Sequence, residues 1–161
     1  MLQVPYFQQN RDYTCGPVCL RMVLAYWGYE ADEVSLSMLC GTTVFGTSAK
    51  QLASAAQRLG FKCEYWFKGR YSSLSHALRS IIPPIVSVNA STLYQLSETL
   101  FVKHDIVLLE IKPRVIVYHD PEVGSNLSAP PDIFKEAWQQ AKNEVILIWP
   151  SEKTFIPKSK K

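Results

Sequence analysis

Four cysteines and three histidines are the side chains of this sequence best suited to covalent or acid–base chemistry. Cys15 differs from the other cysteines in its setting. It lies in Asp12-Tyr13-Thr14-Cys15-Gly16-Pro17, a break directly before an apolar periodic run. Pro17 suits the first turn of a helix, where its missing N–H is not needed. A cysteine at that point meets unpaired backbone N–H groups and the positive end of the helix dipole, which favour thiolate over thiol. Gly16 lets the backbone turn tightly and a carbonyl group approach closely. The N–H of Cys15 can then face an oxyanion as it develops. The chemistry implied is attack by sulfur on a carbonyl carbon. Cys19, one helical turn further on, is the alternative nucleophile, but its thiol lies deeper in the helix and is expected to pack inside. Cys40 and Cys63 read as core or near-surface thiols.

Such a nucleophile needs a base. His76 lies in an expected helix among Ser73, Ser75 and Arg79 and reads as a surface residue. His104 opens the apolar strand Ile106-Val107-Leu108-Leu109, at a strand end that can edge a cleft. His119 follows the strand Val115-Ile116-Val117-Tyr118 and precedes Asp120-Pro121. A carboxylate at the end of that neighbouring strand, Asp120, can accept the far N–H of the His104 ring. That would fix the tautomer and support the imidazolium. Each feature alone has an ordinary reading. Buried cysteines are commonly inert, and Asp before Pro is a turn signal. The aromatics Tyr26, Trp27, Tyr65, Trp66 and Trp138 read as core rather than as a ligand box.

The elements that must position these groups follow from pattern. Val4 to Gln8 reads as an extended segment. A helix runs from the Pro17 turn through Leu20, Met22, Val23, Leu24 and Tyr26 to a stop at Gly28. A second covers about Asp32 to Leu39 and ends at Gly41. A third is capped by Thr47 or Ser48, carries Leu52, Ala55, Ala56 and Leu59 at helical spacing, and ends at Gly60. Cys63 to Phe67 suggests a strand, and Leu74 to Ile82 a helix closed by Pro83-Pro84. The character then changes. Ile85 to Val88, Ile106 to Ile111, Val115 to Tyr118 and Val145 to Trp149 are short β-branched runs, with one more helix over Asp132 to Ala141. Helices first and strands later argue α+β rather than alternating α/β.

A chain of 161 residues suits one domain with one core. The expected division is a single domain over 1–152 and a basic, flexible tail over 153–161, where Lys158, Lys160 and Lys161 read as solvated. With 47% apolar and 19% charged residues, disorder elsewhere is not indicated. The net charge of +3 comes without a Lys/Arg stripe, so no nucleic-acid partner is expected. No stretch is long enough to span a membrane. The N-terminus lacks the pattern of a signal peptide, so a cytoplasmic location with reduced thiols is the expectation. No Cys/His cluster has zinc-like spacing, and neither a metal nor another cofactor is expected.

The segment VPYFQQNRDYTCGPVCLRMVLAYWG resembles the N-terminal motif of the bacteriocin-processing, double-glycine-leader cysteine peptidases and their stand-alone relatives. Those domains carry a glutamine six positions before a Cys-Gly-Pro/Ala turn, matched here by Gln9. They then carry a His opening a strand and an Asp-Pro ending the next, matched by His104 and Asp120-Pro121. GTSAKQLASAAQRLGF is similar to the family's middle helix and PPIVSVNA to its strand before the His. Gly124, Phe134 and Trp138 fit the pattern after the Asp-Pro. The resemblance covers about Val4 to Pro150. It implies a papain-like fold, with helices packed on a C-terminal antiparallel sheet, and a cysteine peptidase acting on a peptide or protein substrate through an acyl-thioester. It also implies roles: Cys15 as nucleophile, His104 as base, Asp120 as its orienter, and Gln9 with the Cys15 N–H as oxyanion donors. A non-cleaving peptide-binding module of the same fold is the alternative, as is an acyltransferase or deamidase using the same groups. Two departures from the family pattern stand out. Asp105 follows His104 where an aromatic or small residue is usual, and no transporter domain follows in this sequence.

Overall fold

The computed structural model describes residues 1–97 and 100–151. The expected tail over 153–161, and the domain limit at 152, lie outside the described residues. Three helices come first: α1 (Cys15–Tyr26), α2 (Glu33–Cys40) and α3 (Ala49–Arg58). Local chemistry explains where the last two start. The Asp32 side chain accepts the Ser35 N–H at the head of α2. At the head of α3, Ser48 and Gln51 form a reciprocal capping box. Gly41 ends α2 in the left-handed region, at φ 65°, where a side chain would be strained.

The rest is β1 (Phe61–Trp66), α4 (Tyr71–Arg79), β2 (Ile85–Asn89), α5 (Ala90–Leu93), β3 (Lys103–Ile111), β4 (Ile116–Asp120), β5 (Gly124–Ala129), α6 (Pro131–Gln140) and β6 (Val145–Pro150). The six strands form one sheet in the order β1-β6-β2-β3-β4-β5, with every neighbouring pair antiparallel. The α+β expectation holds. Helices cover both faces of the sheet. Ile85, Val107, Leu109, Ile146 and Ile148 pack on one side with α1–α3. Val86, Val88, Ile106, Leu108 and Tyr118 pack on the other with Leu74, Phe134 and Trp138. All five residues of β2 are buried. That is why its sequence reads as an apolar run rather than an alternation.

Two elements differ from the sequence expectation. The one-turn helix α5 was not expected; Asn89 caps it by accepting the Ser91 N–H. The polar strand β5, GSNLSA, is a partly exposed edge strand and shows little of the apolar signal that marks a central one. In addition, β3 begins at Lys103, before the apolar run, so His104 is already held by the sheet through its register with Val88. No helix among the described residues is long and apolar enough to cross a membrane.

Candidate active site

Cys15 is the first residue of α1 and is half-buried. Unlike α2 and α3, this helix has no side chain capping its first turn, and no acid lies there. The Thr14 hydroxyl, which would be the natural cap, lies instead 2.6 Å from Glu33 Oε1 and 2.8 Å from the Arg11 carbonyl. The positive end of the helix therefore remains directed at the sulfur and at whatever binds beside it.

His104 lies 5% exposed at the start of β3. Its Nε2 is 2.7 Å from Asp120 Oδ1, and Cys15 lies close enough to the ring to influence its charge. With Nε2 engaged by the carboxylate, Nδ1 is the nitrogen left for the thiol. The exposed Glu122 carboxylate lies 3.9 Å from that Nδ1. Burial opposes a charge on this ring, but the hydrogen bond to Asp120 and the nearness of Cys15, with the negative charge of both, overcome it and push the His104 pKa up to about 10. Asp120 is fully buried. Burial would raise its pKa, yet His104, Tyr94 and the Glu122 N–H hold it below the usual carboxylate range. The Glu122 and Val123 N–H groups donate to Oδ1 at 2.8 and 3.1 Å, and Tyr94 Oη donates to Oδ2 at 2.5 Å.

Gln9 reaches the same neighbourhood from the N-terminal segment. Its backbone N–H donates to the Pro121 carbonyl at 2.8 Å, directly beyond Asp120. Its side-chain NH₂ donates to the Arg11 carbonyl at 2.9 Å, and its Oε1 is buried without a partner. One amide proton thus fixes the side chain, and the second is not used by any group among the described residues.

The other histidines lie elsewhere. His76 is exposed on α4. His119 is buried; its Nε2–H donates to the Val4 carbonyl at 2.9 Å, and its Nδ1 accepts the Asn126 N–H at 3.0 Å. Burial lowers its pKa, so this ring is neutral and structural. Among the remaining thiols, burial pushes Cys40 and Cys63 up to about 12 and Cys19 well above the ordinary thiol range. None of the three is primed to attack.

Two residues of this region carry no mark in the sequence. Glu33 is 5% exposed and accepts from Asn10 N, Asn10 Nδ2 and Thr14 Oγ1, at 2.6–3.1 Å, gathering the loop between Gln9 and Cys15. Tyr94, just past α5, holds Asp120. Their partners are 19 to 26 residues away in the chain, a separation that no local periodicity reports. The acidic pair Asp32-Glu33 at a helix start gives only a capping signal.

The sequence profile of the peptidase C39 family matches residues 3–153. The lactococcin-G-processing and transport ATP-binding protein LagD of Lactococcus lactis subsp. lactis is 27% identical over 124 residues, 77% of this chain and 16% of that protein. The lactococcin transport/processing ATP-binding protein LcnC-like of L. lactis strain IL1403 is 41% identical over 56 residues, 35% of this chain and 8% of that protein. The matches thus span only a small part of these curated relatives. Among solved structures, a C39-like peptidase from Bacillus anthracis superposes with a TM-score of 0.79 at 18% identity, covering 95% of this chain and 98% of that one. The peptidase domain of Streptococcus ComA gives 0.73 at 22%, covering 90% and 97%. A double glycine motif protease from an AMS/PCAT transporter, solved with its leader peptide, gives 0.71 at 20%, covering 93% and 94%.

Proposed function

The chain belongs to the peptidase C39 family and is a cysteine-type peptidase of papain-like fold; from that premise we propose that it cuts a peptide of the double-glycine leader type at Cys15. The observation that carries this reading is the line Asp120–His104–Cys15 at the uncapped head of α1. The raised His104 pKa suits the imidazole to take up the thiol proton as the sulfur attacks. Sγ then attacks the scissile carbonyl and forms a C–S bond. The oxyanion is met by the Cys15 N–H and the second amide proton of Gln9. His104 passes its proton to the leaving nitrogen as the C–N bond breaks, giving an acyl-thioester and a free amine. Water, deprotonated by His104, attacks the thioester, and the thiolate returns. Asp120 keeps Nε2–H pointed at itself and so presents Nδ1 to the sulfur throughout.

The substrate class rests on relatives: the lactococcin processing proteins and the protease solved with its leader peptide. Four free cysteines support a reducing, cytoplasmic setting for the reaction. The test is incubation of the full chain with synthetic leader–cargo peptides carrying Gly-Gly at the junction, read by mass spectrometry. Cleavage after the second glycine by the native chain, and none by Cys15→Ala, is the expected result. Equal cleavage by Cys15→Ala would overturn the assignment, and cutting at other bonds only would overturn the substrate class.

A further inference from the structure

Asp105, which breaks the family pattern beside His104, is 4% exposed. Strand alternation turns its carboxyl toward α1. A methyl group built on Gly16 would meet Asp105 Oδ2 at 3.1 Å, closer than Leu52 Cδ1 at 3.3 Å or Thr47 Cβ at 3.4 Å. The Asp105 carbonyl accepts the Cys19 thiol at 3.3 Å. The first turn of α1, from Cys15 to Cys19, therefore rests on the residue next to His104.

The hydrogen bonds also bear on the protonation of this carboxyl. Ser87 Oγ lies 2.6 Å from Asp105 Oδ1 and 2.9 Å from Glu144 Oε1. A hydroxyl has one proton and cannot donate to two carboxylates. The arrangement closes when one acid keeps its own proton. Glu144 is paired with Lys103 Nζ at 2.9 and 3.2 Å, so the proton belongs on Asp105. It donates to Ser87 Oγ, Ser87 donates to Glu144, and Lys103 balances Glu144. The titratable groups around Asp105 are Lys103 and His104 on β3, Glu144 before β6, and Cys19 on α1. Burial favours the neutral acid.

We propose that neutral Asp105 is a positioning residue, a spacer between β3 and the Gly16 backbone that sets how closely the Cys15 thiol approaches His104. The proposal rests on Cys15 being the nucleophile. Its test needs no peptide substrate: the rate of Cys15 alkylation by iodoacetamide, resolved by peptide mapping, in the full chain at a temperature where each variant is folded. Asp105→Asn keeps the shape, neutrality and a donor, and should react within about threefold of the native rate. Asp105→Ala and Asp105→Ser, which remove the spacer, should slow Cys15 about tenfold. Gly16→Ala should slow it alone, yet slow it less in the Asp105→Ala background, because the new methyl fills the vacated space. Asp105→Asn as slow as Asp105→Ala would overturn the proposal, as would a native rate for both Asp105→Ala and Asp105→Ser, or additive effects in the double variant. If Cys15 in the native chain is no faster than Cys40 or Cys63, it is the nucleophile reading that fails, and the proposal with it. A fast Cys15 indifferent to Asp105 defeats the proposal alone.

Discussion

His104 and His119 stand on neighbouring strands of one sheet, both buried, and their rings are driven in opposite directions. His104 faces a carboxylate and a thiol and is pushed up to about 10. His119 has a backbone carbonyl on one nitrogen and a backbone N–H on the other, and burial lowers it. Burial alone does not make a functional histidine. A neutral ring satisfied by main chain is a fastener: His119 ties Val4 to β4, and Tyr6 packs edge-on against it with ring centroids 5.4 Å apart. A ring placed between two groups that can be anions holds a proton it can return.

The largest expected effect tests this division directly. His104→Ala should lower kcat/KM for leader cleavage by about 10³–10⁴. His119→Ala should leave kcat of the folded protein within a few-fold and lower the melting temperature. Steady-state kinetics beside thermal denaturation would read both, and the opposite pattern would exchange the two roles.

Next in size is Gln9, which the His119 fastener helps to hold through the N-terminal segment. Gln9→Ala should lower kcat by about 10²–10³ with KM unchanged, because its amide acts on charge present only in the transition state. Gln8→Ala is the control. Loss of activity in Gln8→Ala alone would move the oxyanion role by one residue.

Glu33 holds the loop between Gln9 and Cys15 from its other side. Glu33→Gln replaces a buried acceptor of several N–H and O–H groups by an amide that must turn a donor toward some of them. A stability loss of about 1–3 kcal/mol is expected by denaturant titration. An unchanged midpoint would show that water satisfies the loop equally well.

The pH dependence of stability separates the two histidines again, because they should give opposite signs. The folded pKa of His104 lies above the unfolded value near 6.5. Its contribution is therefore complete below that value and is lost as pH rises toward about 10. The folded pKa of His119 is depressed, so its contribution is present above about 6.5 and is lost as pH falls through its lower folded value. In melting-temperature profiles, His104→Gln should flatten the alkaline decline and His119→Gln the mildly acidic one. Identical changes from both variants would mean that the rings share one environment.

The sequence alone was enough for whatever is decided within a few residues. The start of α3 at Thr47 or Ser48, the stop of α2 at Gly41 and the proline-marked head of α1 are local events, settled by side chains and backbone three or four positions apart. The family motif named Cys15, His104, Asp120 and Gln9 from their order along the chain. Two elements left too weak a pattern to be marked: α5 is one turn long, and β5 is polar at a sheet edge. The tertiary structure decided the pairings. His104 meets Asp120 across 16 residues, Asp120 meets Tyr94 across 26, and the Gln9 backbone meets Pro121 across the whole body of the fold. It also decided that the pKa values of His104 and His119, alike in type and strand setting, are driven in opposite directions, and that Asp105 is buried against the head of α1. Protonation depends on which groups surround a side chain in space and on how much water they exclude, and neither quantity exists until the chain has closed.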